Sequence, residues 1–299
     1  MDTHGGLRPY TDIAAGAVAI LTSLAGCSGS SIRDMSATGS APVPVDTTLA
    51  AKVPPAIRSA GKLVVGTDAT YAPSEFLDSD GKTVIGFDVE IFNAVAAKLG
   101  LATEWRPAKF TDIIPGVQST KYDVGVSSFA ATKERMRTVT MVSYYSAGTR
   151  WAQRPGDTIA PGNACGRRLA VQVGTVSLDD AEARAKKCAE TGKAPITIFQ
   201  YQAQTDATAA VVSRKADAMI ADATVTAYAV KQSGGRLAFA GGEYDTALYA
   251  YVLPKDQTSF AAAIEAAVER IIADGTYRKI LAKWGVEAGA ITDPAVNPS

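Results

Sequence analysis

Histidine is almost absent from this chain. Of its 299 residues one is a histidine, His4, and it lies in an N-terminal segment that we expect to be removed. A mature chain without histidine excludes Ser-His-Asp and Cys-His catalysis and histidine-ligated zinc. It also lacks the side chain best suited to proton transfer near neutral pH. We therefore do not expect most kinds of hydrolase chemistry, and we predict no metal and no other cofactor.

An excess of positive charge is missing as well. Thirty basic residues balance thirty acidic ones, so the formal net charge at pH 7 is zero. Nucleic acid is a poor candidate partner, because a surface that follows a phosphate backbone needs a basic surplus. The length and the hydrophobic content of 47% are typical of a globular protein with one large or two ordinary domains.

A long hydrophobic run is absent too. The apolar run at residues 13–25 has 13 residues, which is too short to span a bilayer but typical of a signal-peptide core. It ends in the letters LAGC at residues 24–27, which resemble the lipobox of bacterial lipoproteins. The resemblance implies cleavage before Cys27 and lipid on its thiol, which would anchor the protein to the bilayer at the outer face of the cytoplasmic membrane. The alternative is a plain secretory signal with an incidental cysteine.

Residues 28–54 are rich in Ser, Gly, Thr, Ala and Pro and contain few large apolar side chains. This composition predicts a flexible tether that follows the signal at residues 1–27. We expect ordered structure to begin near Gly61.

Strand and helix patterns alternate beyond the tether. In the first half we predict strands at 62–67, 101–106 and 122–126, and helices at 87–99 and 110–118. In the second half we predict strands at 169–173, 196–199 and 216–221, and helices at 177–189, 206–213 and 224–232. This alternation predicts an α/β fold of βαβ units in two successive lobes, with ligands at the carboxyl ends of parallel strands in the cleft.

The turn after the strand at 122–126 carries an unusual cation. Thr132 is a good N-cap, which places Arg135 in the first turn of a helix, the wrong end of the dipole for a positive charge. An anion held between the guanidinium and the free amides of the turn would explain this arrangement. A surface arginine with its charge in water remains an equal alternative on these residues alone.

Five motifs then occur in order. They are GTDATYAP at 66–73, GFDVEI at 86–91, SSFAATKER at 127–135, ADGTY at 273–277 and KWG at 283–285. Together they resemble the family 3 extracellular solute-binding proteins, the amino-acid receptors of ATP-driven (ABC) importers. The resemblance implies a two-lobed type II periplasmic-binding-protein fold, whose lobes are mainly parallel sheets flanked by helices and are joined by two hinge crossovers. Lobe 1 would hold residues 55–150 and 247–288, lobe 2 residues 151–246, and residues 289–299 would form a C-terminal tail.

The resemblance also implies a site for an α-amino acid. Arg135 matches the residue that binds the ligand carboxylate, with backbone donors expected at Ala130 and at the Thr175 turn. Asp222 matches the residue that takes the ammonium group, helped by Ser128. From the sequence alone, Asp222 can also be the N-cap of the helix predicted at 224–232, and both roles can hold together.

The remaining site positions concern the ligand side chain. Tyr71 and Phe110 match aromatic walls, although without the family match they would be ordinary core aromatics, and Ser127 adds a hydroxyl group. Asp68 occupies a position that can meet a polar or cationic side-chain terminus, and Glu75 could add a second negative charge. Since two uncompensated carboxylates are costly, we predict a basic or amide-bearing ligand (Arg, Lys, His or Gln) rather than Glu or Asp.

Three positions depart from the family pattern. Ala130 stands where Ser or Thr is usual, Val176 where threonine is common and Ser74 where an aromatic residue is common. These departures keep the clamp for the zwitterion and leave the side-chain specificity open.

We therefore predict an extracytoplasmic, monomeric receptor that captures a polar or basic L-amino acid between closing lobes and delivers it to the permease subunits of an ABC importer. An enzyme of the cyclohexadienyl-dehydratase kind is an alternative on the same fold, but its candidate acids, Asp68, Glu75 and Asp222, have no partner that indicates a raised pKa. A ligand-sensing module is the third possibility, and we expect it least because no second membrane segment or signalling domain is evident.

Cys165 and Cys188 flank a predicted strand and helix of lobe 2. Outside the cytoplasm we expect this pair to be oxidised to a disulfide. Two free thiols or a thiol–metal site are the alternatives, and the lack of histidine disfavours the metal.

Overall fold

Ten α-helices and eleven β-strands form between residues 43 and 298, the part of the chain that the computed structural model describes. The predicted signal, Cys27 and the first part of the tether lie outside these residues. The helices are α1 (Thr47–Ala50), α2 (Pro55–Ala60), α3 (Phe87–Lys98), α4 (Phe110–Gln118), α5 (Lys133–Thr138), α6 (Val176–Glu190), α7 (Gln204–Val212), α8 (Ala223–Gln232), α9 (Thr258–Ala273) and α10 (Thr276–Trp284). The strands are β1 (Lys62–Thr67), β2 (Thr70–Tyr71), β3 (Glu75–Leu77), β4 (Val84–Ile85), β5 (Ala102–Pro107), β6 (Val124–Ala130), β7 (Val139–Gln153), β8 (Arg168–Gln172), β9 (Thr197–Tyr201), β10 (Ala218–Asp222) and β11 (Ala238–Pro254).

One eight-stranded sheet runs through the domain in the order β5-β1-β6-β11-β7-β10-β8-β9. At one end β1 pairs in parallel with β5 and β6, and at the other end β8 pairs in parallel with β9 and β10, as the alternation predicts. The long strands β7 and β11 are antiparallel to each other and pair along both halves of the sheet. We call the half with β1, β5 and β6 lobe 1 and the half with β8, β9 and β10 lobe 2. The chain therefore crosses between two lobes twice, and the predicted α/β fold is confirmed.

Each lobe has its own buried core. In lobe 1, α3 and α9 pack on the sheet around Phe92, Tyr251 and Ile264, all fully buried. In lobe 2, Trp151, Leu169 and Ile220 form the centre of a smaller core beneath α6. Within residues 43–298, no helix has the length and the apolar character that crossing a bilayer requires.

Residues 43–54 are part of the folded domain, so the predicted tether is wrong over this stretch. Leu49 and Val53 are 5% and 2% exposed and belong to the core of lobe 1. The Asp46 carboxylate accepts from the first amides of α1 and forms an ion pair of 2.9 Å with Arg270 on α9. Composition did not reveal this segment because few large apolar side chains, Val43, Leu49 and Val53, hold it against the core of lobe 1.

The last residues also pack on lobe 1 instead of forming a separate tail. The amide of Ser143 donates to the carbonyl of Ala295 at 3.0 Å, and the Met141 amide donates to Oδ1 of Asn297 at 3.0 Å. Val296 forms a single β-bridge with Val142. Since β10 pairs only with residues 149–153 of β7, the β7 edge at 141–143 is open, and the C-terminal segment covers it.

Element boundaries follow the local patterns closely, with one informative exception. α4 has the bounds that were predicted, and Thr132 caps α5 by accepting from the amide of Arg135. The strand predicted at 122–126 instead extends as β6 to Ala130 and includes Ser127 and Ser128. The two serines are buried because their hydroxyls hydrogen-bond carboxyl groups inside lobe 1.

Gly86 explains why two of the motifs lie together. A Cβ at this position, where φ is +139°, would lie 2.0 Å from the Ser74 carbonyl oxygen. The close approach lets the carbonyls of Pro73 and Ser74 accept from the first two amides of α3, each at 3.1 Å. The helix is thus capped by a neighbouring backbone segment, which brings Asp88 next to Glu75.

A disulfide joins Cys165 to Cys188 and closes a loop with a sequence separation of 23. We expect reduction to lower the free energy of unfolding by about 3 kcal/mol, because the cross-link restricts the unfolded chain. The melting temperature should fall by roughly 5–10 °C. Thermal denaturation with and without reductant measures this shift, and the Cys165→Ala/Cys188→Ala variant should not respond to reductant. An unchanged melting temperature in protein whose thiols titrate as free would contradict the prediction.

Candidate functional site

A cavity lies between the lobes, where the carboxyl ends of β1 and β6 face those of β8 and β10. Eleven residues line it, and they include all nine positions predicted from the sequence: Asp68, Tyr71, Phe110, Ser127, Ser128, Ala130, Arg135, Gln172, Thr175, Val176 and Asp222. Val176 was noted as a departure from the family pattern, and Gln172 was not predicted. The chain therefore brings residues from both lobes to one place, as the topology of parallel strands favours.

The Arg135 guanidinium lies at the boundary between the lobes. Its Nη1 donates to the carbonyl of Ala130 at 2.9 Å, and its Nη2 donates to the carbonyl of Gly174 in lobe 2 at 3.1 Å. The guanidinium carbon is 5.5 Å from the ring centres of both Phe110 and Phe129, within the range of a cation–π contact. Burial lowers the pKa of Arg135, and the nearby Asp222 carboxylate opposes that shift. The side chain is a fixed cation on the wall of the cavity.

Asp222 faces Arg135 from lobe 2. It occupies the N-cap position of α8, but its side chain accepts no hydrogen bond from the helix, so the N-cap interpretation of this carboxylate is wrong. Instead Oδ2 accepts from the hydroxyl of Tyr71 at 2.8 Å. Burial raises the pKa of Asp222 to about 6, partly offset by the hydrogen bond from Tyr71 and the charge of Arg135. A group with this pKa changes its charge within the physiological range.

Asp68 follows β1 and is 3% exposed. Its carboxylate accepts from the Thr70 hydroxyl at 2.8 Å and from the Gln172 side-chain amide. Gln172 also donates to the carbonyl of Gln202 at 2.9 Å, which fixes the orientation of its amide. Burial raises the pKa of Asp68, and the hydrogen bonds from Thr70 and Gln172 oppose the shift.

Gln172 is the residue that sequence reasoning missed. It lies within the strand predicted at 169–173, where it is the one polar side chain in an apolar run and stands near the carboxyl end. That pattern was a usable signal, because ligand-facing side chains gather at the carboxyl ends of parallel strands. Only the fold, however, brings it to Asp68, which lies 104 positions away in sequence.

Glu75 lies behind the cavity wall and does not line the cavity. Its Oε1 accepts from the Ser127 hydroxyl at 2.8 Å. Burial, reinforced by the nearby Asp88 carboxyl group, raises the pKa of Glu75 well above its ordinary value. The second negative charge that the sequence left open is therefore not directed at a ligand.

The N-terminus of α6 closes the lobe 2 side of the cavity. The Thr175 hydroxyl accepts from the amide of Leu178 at 3.3 Å and donates to the carbonyl of Gln172 at 2.8 Å. Thr175 and Val176 thus place the positive end of the α6 dipole at the cavity, an arrangement that favours an anionic group there.

Hydrogen bonds join the lobes across the cavity. Tyr71 donates to Asp222, Gln172 to Asp68, Arg135 to the carbonyl of Gly174, and the Gln204 amide to the Thr70 hydroxyl. The space left between the lining groups is about 20 Å³, room for one water molecule. A molecule larger than water can therefore enter only if the lobes separate. Within residues 43–298, no cluster of three or more His, Cys, Asp or Glu side chains could hold a metal ion.

Comparisons with known proteins agree with this geometry. The arginine-binding protein ArgT of Corynebacterium glutamicum is 35% identical over 250 residues, which cover 83% of this chain and 82% of ArgT. The structure of an ancestral arginine-binding protein bound to arginine superposes with a TM-score of 0.70 at 31% identity, covering 75% of this chain and 98% of that one. The ancestral amino acid-binding protein AncCDT-1, a precursor of cyclohexadienyl dehydratase, has a TM-score of 0.69 at 29% identity and covers 77% of this chain and 97% of its own.

A family model extends the match over most of the folded domain. The model for bacterial extracellular solute-binding proteins, family 3, matches residues 63–287, a range that begins in β1 and ends after α10. The match contains both lobes and every residue that lines the cavity. The chain belongs to the bacterial extracellular solute-binding proteins of family 3.

Proposed function

We propose that this chain is the extracytoplasmic receptor of an ABC importer and that it captures a basic L-amino acid, arginine before others, between its lobes. The observation that carries the proposal is the placement of Arg135 and Asp222 on opposite walls of one cavity. A guanidinium is the partner of an α-carboxylate, and a carboxylate is the partner of an α-ammonium group. Each lobe therefore supplies one half of the clamp for the zwitterion.

Asp68 supports a cationic ligand side chain. None of the ion pairs formed within residues 43–298 includes Asp68, so its buried charge is balanced by hydrogen bonds alone. A buried carboxylate without a cation is costly, and a ligand guanidinium or ammonium group would remove that cost. Gln172 would then change from the partner of Asp68 to a neighbour of the same ligand group. The relatives named for arginine point to the same class of ligand.

Replacing Asp68 by asparagine tests the assignment. We expect the affinity for arginine to fall about 10- to 100-fold, because a charge-assisted hydrogen bond becomes a neutral one, while the affinity for glutamine holds or improves. Titration calorimetry with both ligands measures the change in selectivity. Asp112→Asn on the exposed side of α4 removes the same charge and should alter neither affinity. An equal loss for arginine and glutamine in Asp68→Asn would contradict the role in selectivity.

The enzyme alternative can be tested with the same purified protein. AncCDT-1 is described as a binding protein that preceded a dehydratase, so the fold accommodates both activities. Contrary to the expectation from the sequence, burial raises the pKa of all three candidate acids, Asp68, Glu75 and Asp222. We propose binding without turnover here, because Glu75 lies outside the cavity and Asp68 and Asp222 are hydrogen-bonded to neighbouring side chains. Silence across the amino acids in calorimetry, together with turnover of a cyclohexadienyl carboxylic acid, would favour the enzyme.

The proposal extends to the location and partners of the protein. Lipid on Cys27 would hold the domain at the outer face of the cytoplasmic membrane, where a monomer could reach the permease subunits. Separation and closure of the lobes about β7 and β11 would load and release the ligand.

A further inference from the structure

Two carboxyl groups are buried together behind the cavity. Glu75, on β3, and Asp88, in the first turn of α3, are both 0% exposed. Neither takes part in an ion pair formed within residues 43–298. Two adjacent ionised carboxylates without a cation would be strongly unfavourable in such a place.

The hydrogen bonds around the pair account for most of its oxygens. Oδ2 of Asp88 accepts from the amide and the hydroxyl of Ser128, each at 3.0 Å, and from the Tyr144 hydroxyl. Oε1 of Glu75 accepts from the Ser127 hydroxyl. The two remaining oxygens, Oε2 of Glu75 and Oδ1 of Asp88, are buried and accept no hydrogen bond from another group. The amide of Asp88 donates to the carbonyl of Ser74, the residue before Glu75, and the partners of the two carboxyl groups, Ser127 and Ser128, are consecutive, so the two carboxyl groups lie side by side.

A hydrogen bond between two carboxyl groups requires a proton between them, since ionised carboxylates are acceptors only. Asp88 accepts three hydrogen bonds from other groups and Glu75 accepts one, so the negative charge is better stabilised on Asp88. We propose that Glu75 and Asp88 form a unit that holds one proton at neutral pH, carried by Glu75, and that this unit positions Ser127 and Ser128 in the wall of the ligand cavity. The part of this inference that concerns ligand binding rests on the proposed function, and the part that concerns the proton rests on the folded domain alone.

The unit reaches the cavity through both serines. Ser128 has a φ of +47°, a left-handed conformation that costs free energy in a residue with a Cβ, and Asp88 holds it with two hydrogen bonds. The Ser127 hydroxyl donates to Glu75 and accepts from the amide of Asp68 at 3.0 Å. Three contacts therefore follow one another from Asp88 to Glu75, from Glu75 to Ser127 and from Ser127 to Asp68, which lines the ligand cavity. The proton on Glu75 holds this series in place.

Loss of the proton should weaken the fold and the site together. Burial and Asp88 raise the pKa of Glu75 well above its usual value, and burial raises the pKa of Asp88. A carboxyl group with a raised pKa in the folded state contributes stability that is fully present below its unfolded pKa and is lost as the pH rises through the folded pKa. The other titratable groups that act on the pair are Asp68, Tyr71, Tyr144, Tyr145, Asp222, Tyr249, Tyr251 and Tyr277, and a negative charge on any of them makes a second negative charge in the pair harder to form. Stability should thus decline as the pH rises from the unfolded towards the folded pKa of Glu75, and ligand affinity should decline as the pH rises through the folded pKa.

Glu75→Gln is the test, because its amide donates to Asp88 at every pH. Infrared spectra of the wild type at pH 7 should contain the carbonyl stretch of a protonated, buried carboxyl group, and this band should be missing from Glu75→Gln. The decline in melting temperature with rising pH should be smaller in Glu75→Gln than in the wild type. Neither measurement needs a ligand, so both remain informative if arginine is not the substrate. Absence of the band from the wild type would overturn the inference.

Titrations with arginine test the positioning role. Glu75→Ala should weaken arginine binding at least about tenfold, because it leaves Oδ1 of Asp88 and the hydroxyl proton of Ser127 without a partner, and Glu75→Gln should restore most of the loss. The ligand's own amino group titrates at high pH, so the ratio of wild-type to Glu75→Gln affinity is the quantity to follow, and it should fall as the pH rises. A ratio that is constant with pH would overturn the coupling, even if Glu75→Ala fails to fold.

Discussion

Arginine binding should be lost when Arg135 is replaced by alanine, with Kd rising by roughly two to three orders of magnitude. The guanidinium sits at the lobe boundary, half enclosed by Phe110 and Phe129, where water cannot easily replace it. Without it, the ligand carboxylate would be buried against the amides at the α6 N-terminus alone. Much of the expected loss is the cost of burying an anion without its cationic partner.

Two variants separate this role from general electrostatics. Arg137 lies on the same short helix and is exposed. Arg137→Ala changes the net charge by the same amount as Arg135→Ala, so its affinity for arginine should match that of the wild type. Arg135→Lys keeps the charge but lacks the planar fork, and it should bind with an intermediate affinity. Calorimetry gives the affinities, and thermal denaturation of each variant without ligand shows whether the domain still folds. Folded Arg135→Ala protein with wild-type affinity would remove the carboxylate assignment.

The sequence predicts those parts of this site that depend on local patterns. Thr132 caps α5 and places Arg135 as expected, because an N-cap needs only a hydroxyl and a free amide three residues later. The bounds of α4, which begins at Phe110, follow from the same kind of local signal. Nine of the eleven cavity residues were predicted from the family resemblance, and the fold brings these nine together with Gln172 and Val176.

Contacts between segments that are distant in sequence could not be predicted from local patterns. Nothing near Gln172 in the chain indicates that it donates to Asp68, and nothing near Glu75 indicates that Asp88 lies beside it. The folding of residues 43–54 was not predicted for a related reason, since Leu49 and Val53 are buried by α-helices and strands far along the chain. The charge state of a buried group depends on such contacts, so the number of negative charges in the site could not be counted from the sequence.

Asp222 should make arginine binding depend on pH near the acid edge of the physiological range. Burial raises the pKa of Asp222 to about 6, and the ligand ammonium group binds only the ionised form. Titration of Asp222 should therefore leave the affinity unchanged above pH 7 and lower it by up to about tenfold per pH unit below 6, as protons compete with the ligand. Asp68, whose pKa burial also raises, adds to this loss when the ligand side chain is cationic.

Folding stability should respond to Asp222 in the opposite direction. Because its pKa is raised in the folded state, its contribution to stability is fully present below the unfolded pKa and is lost as the pH rises through about 6. Protonation of Asp222 thus stabilises the ligand-free protein, whereas ligand binding requires the same group to be ionised. Ligand binding and stability without ligand should consequently diverge as the pH falls from 7 to 5, a pattern that general acid unfolding cannot produce.

Asp222→Asn tests both statements at once. Its affinity for arginine should drop about 10- to 1000-fold at pH 7, because a buried charge pair is lost, and the slope of log Kd against pH below 6 should decrease by one proton. Asp206→Asn, on the exposed face of α7 in lobe 2, removes the same charge and should leave the pH profile in place. Calorimetry between pH 5 and 8 in matched buffers measures the profile. A wild-type slope retained in Asp222→Asn would mean that the titrating group is elsewhere, and the ammonium partner would then have to be sought at Asp68.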